Sequence, residues 1–348
     1  MRIAVQNPSF LLGDQERNFN GYNFKFVEKY CDVIYVPRLL SVRHYIRLIH
    51  RMGWKNKKIC VSPRQLNKMA DVLMCFNGGA YSTEGKPVQD FHGLKIYHVM
   101  DFSNQTRRLN EALTQGGVDY LMGYARHDRH SGFFQTYFPN YIGKVIAVPF
   151  GFGARFQNLK PFDQRINKCI ALGAVNPIND PLIKDDGLND FITYYHNYEY
   201  SHEIRKMIVD HLDIWGDIFD SRLPVPPETK NPSYDAVAEL NNYTMFINDE
   251  SIDNFPPART YEGIACGCVM VCTDSPIYAE LGFKDGVNCI MFPKHDYETM
   301  HAKITYYIEH SDKLERIQKN SLALAEKYRH SEVAKQLYKT ITTLRKES

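Results

Sequence analysis

The stretch RTYEGIACGCVMVCTDSP, residues 259–276, constrains this chain more than any other. Residues 260–265 have helical spacing with an acid in the first turn, Gly267 ends the turn, and Cys268 to Cys272 is a short apolar run closed by Thr-Asp-Ser-Pro. Helix, glycine, buried strand and polar loop, in that order, make one half-turn of a doubly wound α/β sheet. Such a unit brings the helix N-terminus to the carboxyl edge of the sheet, where open α/β folds bind ligands. The first turn of a helix offers backbone N–H groups and a positive dipole end, so a phosphate fits there. Arg259 adds a planar guanidinium able to hold a diphosphate by two bonds. The acceptor-only carboxylate of Glu262 suits sugar hydroxyls, and a ribose diol is its natural partner beside a diphosphate.

A chain of 348 residues suits two domains. Apolar runs predict strands over 2–6, 32–36, 70–76, 94–99, 120–123 and 144–148, with helical spacing over 21–30 and 45–52, so the first half is expected to form a parallel sheet. Residues 149–162, with glycines and prolines around an aromatic stretch, read as the linker. They include GFGARF at 151–156, a near miss to a dinucleotide fingerprint that lacks the third glycine. A second series follows: a strand over 168–173, a helix over 202–212, a helix over 235–242 and a strand over 243–248. After the 259–276 stretch come two amphipathic helices, expected over 297–309 and 312–343.

Forty-two Lys and Arg against 40 Asp and Glu leave a net charge of +2, which argues against a nucleic-acid binder working through a basic face. The eight cysteines lie mostly inside apolar runs and read as reduced thiols of a cytoplasmic protein. Cys266, Cys268 and Cys272 raise the question of zinc, but they form no CxxC pair, and buried small residues account for them better. The opening MRIAV already reads as a strand, so neither a signal peptide nor a spanning helix is expected, which leaves room for peripheral contact with a membrane surface.

The run EGIACGCV at 262–269, followed by Ser275-Pro276 and ELGFKDGVNCIMF at 280–292, resembles the donor-binding block of the group 1 glycosyltransferases of GT-B fold, in a divergent branch where an arginine precedes the glutamate by three residues. The resemblance covers residues 165–345 and only loosely the N-terminal half. It implies two Rossmann-like doubly wound α/β domains facing a central cleft. An acceptor-binding domain would span 1–153 and a nucleotide-sugar domain 154–348, with the last helix able to pack back on the first. It also implies a retaining transfer from a UDP- or GDP-linked sugar to a glycan or lipid-linked glycan in bacterial-type surface polysaccharide or glycoconjugate synthesis, helped by domain closure. In that family the position of Glu262 binds the ribose and a second acid lies eight residues earlier. Here that position is Asn254, so the pair of acids is broken.

The donor-binding set is therefore Arg259, Thr260, Tyr261, Glu262 and Asn254, with Gly173 and Lys184 from the loop after the first strand of the second domain. That loop lacks the arginine that the family uses on the diphosphate, which throws weight onto Arg259. Residues 250–254 form a polar loop near the donor, or are merely solvated. In the first domain His98 and Asp101 end a strand and resemble the family's catalytic cluster, His98 being equally readable as a hydrogen-bonded core residue. Asn77, Arg126 and His127 are assigned to the acceptor, although the run 126–130 also fits a solvated loop. No Asp-x-Asp motif is present, so no metal and no cofactor beyond the nucleotide sugar is implied. Two other classes stay open: a GT-B-fold sugar-nucleotide epimerase or hydrolase, and a non-catalytic sugar-binding partner protein.

Overall fold

The computed structural model describes residues 1–6, 27, 29–36, 46, 50, 58–60, 62–76, 89–99, 102, 106–178, 188–224 and 233–347. The chain divides into two units. The first comprises Met1–Pro149, Lys184–Phe191 and His330–Ser348, the second Phe150–Ile183 and Ile192–Arg329.

The first unit holds a parallel sheet of β1 (Arg2–Gln6), β2 (Asp32–Val36), β3 (Lys58–Ile59), β4 (Val72–Phe76), β5 (Leu94–His98), β6 (Tyr120–Gly123) and β7 (Val145–Ala147), ordered β3-β2-β1-β4-β5-β6-β7. Its strands read as continuous apolar runs because both faces are covered. One core packs Ile3, Val5, Met74, Ile96 and Met122 against Val333, Ala334, Leu337 and Ile341 of the helix His330–Glu347. Those four positions recur at helical spacing and form a single stripe. The two helices expected over 21–30 and 45–52 lie largely outside the described residues. So do Asn77, Asp101 and Lys184.

The second unit holds β8 (Ile166–Ala171), β9 (Phe219–Ser221), β10 (Tyr243–Ile247), β11 (Val269–Thr273) and β12 (Ile290–Phe292), all parallel, ordered β12-β11-β10-β8-β9. The chain leaves β8 for β9 on one side and then crosses to β10 on the other. The strand order therefore reverses between β8 and β10, the kind of switch point outside whose carboxyl ends open α/β sheets bind ligands. The helix Arg259–Ala265 lies so close to this sheet that a Cβ on Gly263 would sit 2.3 Å from the Phe246 ring. Only glycine allows that approach.

Two features depart from the sequence reading. The strands β3, β9 and β12 were not anticipated. The single helix expected over 312–343 is broken into Ser311–Ala325, a short 3-10 turn Glu326–Tyr328, and His330–Glu347. The break falls at Arg329, whose backbone turns extended (φ −58, ψ 139) and bridges to Phe152, with the Phe152 amide donating to the Tyr328 carbonyl at 3.0 Å. No helix among the described residues is long and apolar enough to cross a membrane.

Candidate functional site

Glu262 lies one turn into its helix and is only 5 % exposed. Burial raises its carboxyl above the ordinary glutamate value, while Arg259 and Arg155 pull it back down. Arg259 Nε stands 4.0 Å from Glu262 Oε2. At its other end the guanidinium donates from Nη1 to the Tyr234 hydroxyl at 2.8 Å, with its carbon 5.7 Å from the centre of that ring.

The start of this helix differs from expectation. Ala258 is already helical, so the amides of Thr260, Tyr261 and Glu262 donate to the carbonyls of Pro257 and Ala258 at 3.0 to 3.2 Å. The first turn does not present the free row of donors anticipated for a phosphate, and the guanidinium groups become the main source of positive charge. Thr260 and Tyr261 turn inward as well. Thr260 accepts from Asn248 Nδ2 at 2.9 Å, and Tyr261 is fully buried with its ring 4.8 Å from that of Tyr328.

The loop after β10, residues 248–254, is a built structure rather than a solvated one. Asn248 also donates to the Tyr278 hydroxyl at 3.0 Å, Thr273 Oγ1 lies 2.8 Å from both carboxylate oxygens of Glu250, and Tyr195 donates to Asp253 at 2.9 Å. Burial pushes the Glu250 carboxyl up. Asn254 closes the loop at φ 53, and its amide donates to the Ser251 carbonyl at 2.8 Å. Asparagine is among the few side chains that take this left-handed conformation readily, whereas a glutamate there would be strained.

The loop after β8 also has its cation. Gly173 takes φ +128, and a Cβ there would fall 2.6 Å from Nη1 of Arg205, which donates to the Ala174 carbonyl at 3.2 Å. Arg205 stands on the helix Glu203–Asp210, so a loop with no arginine of its own lies against one from that helix. Arg205 Nε is 3.0 Å from Asp249 Oδ1, and His202 Nδ1 is 3.2 Å from the same oxygen. Burial works to raise the Asp249 carboxyl, but Arg205 and His202 outweigh it and hold the group below the ordinary aspartate value. The His202 imidazole is lowered by burial and by Arg205. The one sequence signal for Arg205 was its place beside Ile204 and Ile208, a cation on the apolar stripe of a helix.

In the first unit His98 ends β5 and His127 begins the helical turn His127–His130. Each is 1 % exposed, and burial lowers each to about 3, with His127 adding to the effect on His98. Around His127 pack Phe102 at 4.8 Å and Phe134 at 6.2 Å between ring centres. Arg126 is engaged with Asp128 by two bonds of 2.8 and 2.7 Å, and Asp128 also accepts from the Gly143 amide at 3.0 Å. The run 126–130 is a folded corner, not a solvated loop. The eight cysteines are free, and burial pushes the Cys266 thiol up to about 12. Among the described residues, no three His, Cys, Asp or Glu side chains are placed to hold a metal ion.

Residues 201–339 match the model of a family described as glycosyl transferase-like. No curated protein matches the chain in sequence. Solved structures match it over nearly its whole length. HepE of Anabaena, in complex with UDP and glucose, aligns with a TM-score of 0.57 at 14 % identity, covering 99 % of this chain and 100 % of that one. A glycosyltransferase of Rickettsia africae aligns at 0.53 and 13 % identity over 98 % of both chains. Sucrose-phosphate synthase of Thermosynechococcus elongatus aligns at 0.53 and 10 % identity over 100 % of both.

The fold is that of the GT-B glycosyltransferases. In this GT-B chain the family match takes in Arg205, Asp249, Arg259 and Glu262 together. It leaves out His98, Arg126 and His127, whose assignment rests on position in the first sheet alone.

Proposed function

We propose that the chain transfers a sugar, with retention, from a UDP- or GDP-linked donor to a hydroxyl of a glycan or lipid-linked glycan, in the synthesis of a bacterial-type surface polysaccharide or glycoconjugate. The observation that carries this reading is the buried carboxylate of Glu262 with Arg259 beside it, inside the residues that match the glycosyl transferase-like family. Two neighbouring hydroxyls, as on a ribose, satisfy such a carboxylate. Arg259 and, from the end of β8, Arg205 supply positive charge for a diphosphate and stabilise it as it departs. The UDP and glucose of the HepE complex make UDP the first donor nucleotide to test.

Asp101 and His98 are assigned to the reacting hydroxyl, and Asn77, Arg126 and His127 to the rest of the acceptor. A histidine whose pKa is lowered to about 3 is a poor proton acceptor, so His98 orients the acceptor and Asp101 takes the proton. Asn254, Gly173 and Lys184 complete the donor side. The enzyme would work in the cytoplasm, at a membrane surface when its acceptor is lipid-linked.

A screen of UDP- and GDP-sugars against candidate acceptors tests the reading. Transfer is expected with one donor, and Glu262→Ala should weaken that donor about thirtyfold, the loss of about 2 kcal/mol from hydrogen bonds to a charged group. Donor cleavage without acceptor, or an unchanged Glu262→Ala variant, would defeat it.

A further inference from the structure

Tyr234 stands just before the helix Ala236–Asn242, whose N-cap Asp235 accepts from the amides of Val237 and Ala238 at 2.9 and 3.4 Å. The cap fixes the direction of the chain here and with it the phenol. Its oxygen accepts from one end of the Arg259 guanidinium, as described above. The other end is less settled. Among the described residues the buried Arg259 Nε has no hydrogen-bond partner, while Glu262 Oε2, on the next turn of the same helix, is 4.0 Å away. A buried donor left unpaired is unfavourable, and a move of about 1 Å would close this one onto the carboxylate. Arg259 and Glu262 are three residues apart, the spacing at which helix side chains meet. Something holds them apart. The tether visible at the guanidinium is the Tyr234 hydroxyl.

We propose that Tyr234 is a positioning residue of the donor site: its hydroxyl holds Arg259 off Glu262, so that the carboxylate stays uncommitted until a nucleotide's sugar hydroxyls arrive. This rests on the donor-site reading given above, and it adds the device that keeps the site open. Without the hydroxyl, the guanidinium closes onto Glu262, and a ligand must break that ion pair before it can bind.

The nucleosides uridine and guanosine are the probes, because they present the ribose without the phosphates that Arg259 itself would hold. Their affinities are read by ligand-observed NMR on the full chain. Tyr234→Phe keeps the ring and removes one oxygen, and it should weaken the nucleoside about fivefold, the effect of one hydrogen bond. Arg259→Ala in the same chain should restore binding, because the side chain that blocks Glu262 is gone. A purely structural role for Tyr234 predicts no such rescue. An unaltered affinity in Tyr234→Phe, or a double variant as weak as the single one, overturns the proposal and leaves the donor site standing. So does a wild-type chain that binds UDP or GDP but neither nucleoside. If Glu262→Ala binds UDP and GDP as wild type does, or wild type binds none of the four, the donor-site reading falls and this proposal with it.

Discussion

At the carboxyl edge of the second sheet Asp249 is buried in partnership with Arg205 and His202, which hold it below its ordinary value, while Glu262 is raised by burial in spite of Arg259 and Arg155. At the same edge of the first sheet, His98 and His127 are buried among aromatic rings and lowered until neither carries charge at neutral pH. The difference follows from what surrounds each group. Burial alone drives a titratable group to its neutral form, and only an opposite charge close by reverses that. At the second edge Arg205 and His202 do this for Asp249, holding its carboxyl below the ordinary aspartate value. The edge assigned to a neutral sugar hydroxyl can do without charge. Three measurements press on this contrast.

The largest effect concerns the histidines. Their folded pKa of about 3 lies below the ordinary 6.5, so between those values the unfolded chain binds protons that the folded one refuses. Their contribution is fully present above pH 6.5 and is lost as pH falls toward 3. The slope is about 1.4 kcal/mol per pH unit for each histidine, hence roughly 5 kcal/mol for the pair between pH 6 and pH 4. Amide exchange in β5 and β6 should report this acid loss, and His127→Gln should halve it. A flat profile would mean that the first edge is charged after all.

Next comes Asp249→Asn, which strands Arg205 as a buried cation without its anion. The expected cost is about 4 kcal/mol in urea unfolding. Replacing Arg205 by Met in the same chain should recover much of the loss. If it does not, the partnership is not what holds this edge. The smallest effect is local to the backbone. Asn254→Ala should cost about 1 kcal/mol because of the left-handed φ, while Asn254→Gly should be close to neutral in the same assay.

The long apolar strands of both sheets were readable from composition runs, because strands buried on both faces leave that signature. β3, β9 and β12 were not, since two or three residues carry no period. The break at Arg329 has no local cause either: EKYRHSEV is helix-compatible, and the chain turns there because Phe152 bonds to it from far along the sequence. Glu262 stood out through its setting in a helix, glycine and strand. Arg205 did not, because no spacing rule links a loop after one strand to the helix that covers it. Nor could the sequence reveal that Ala258 is already helical and engages the amides expected to greet a phosphate.

The helix His330–Glu347 follows the whole of the second unit in sequence, yet its stripe of Val333, Ala334, Leu337 and Ile341 completes a core begun by Ile3 and Val5. During synthesis the first sheet therefore waits, with one apolar face uncovered, until the helix His330–Glu347 has left the ribosome, whereas the second unit is complete by Arg329. A frameshift or early stop just before His330 would wound the N-terminal half of the molecule.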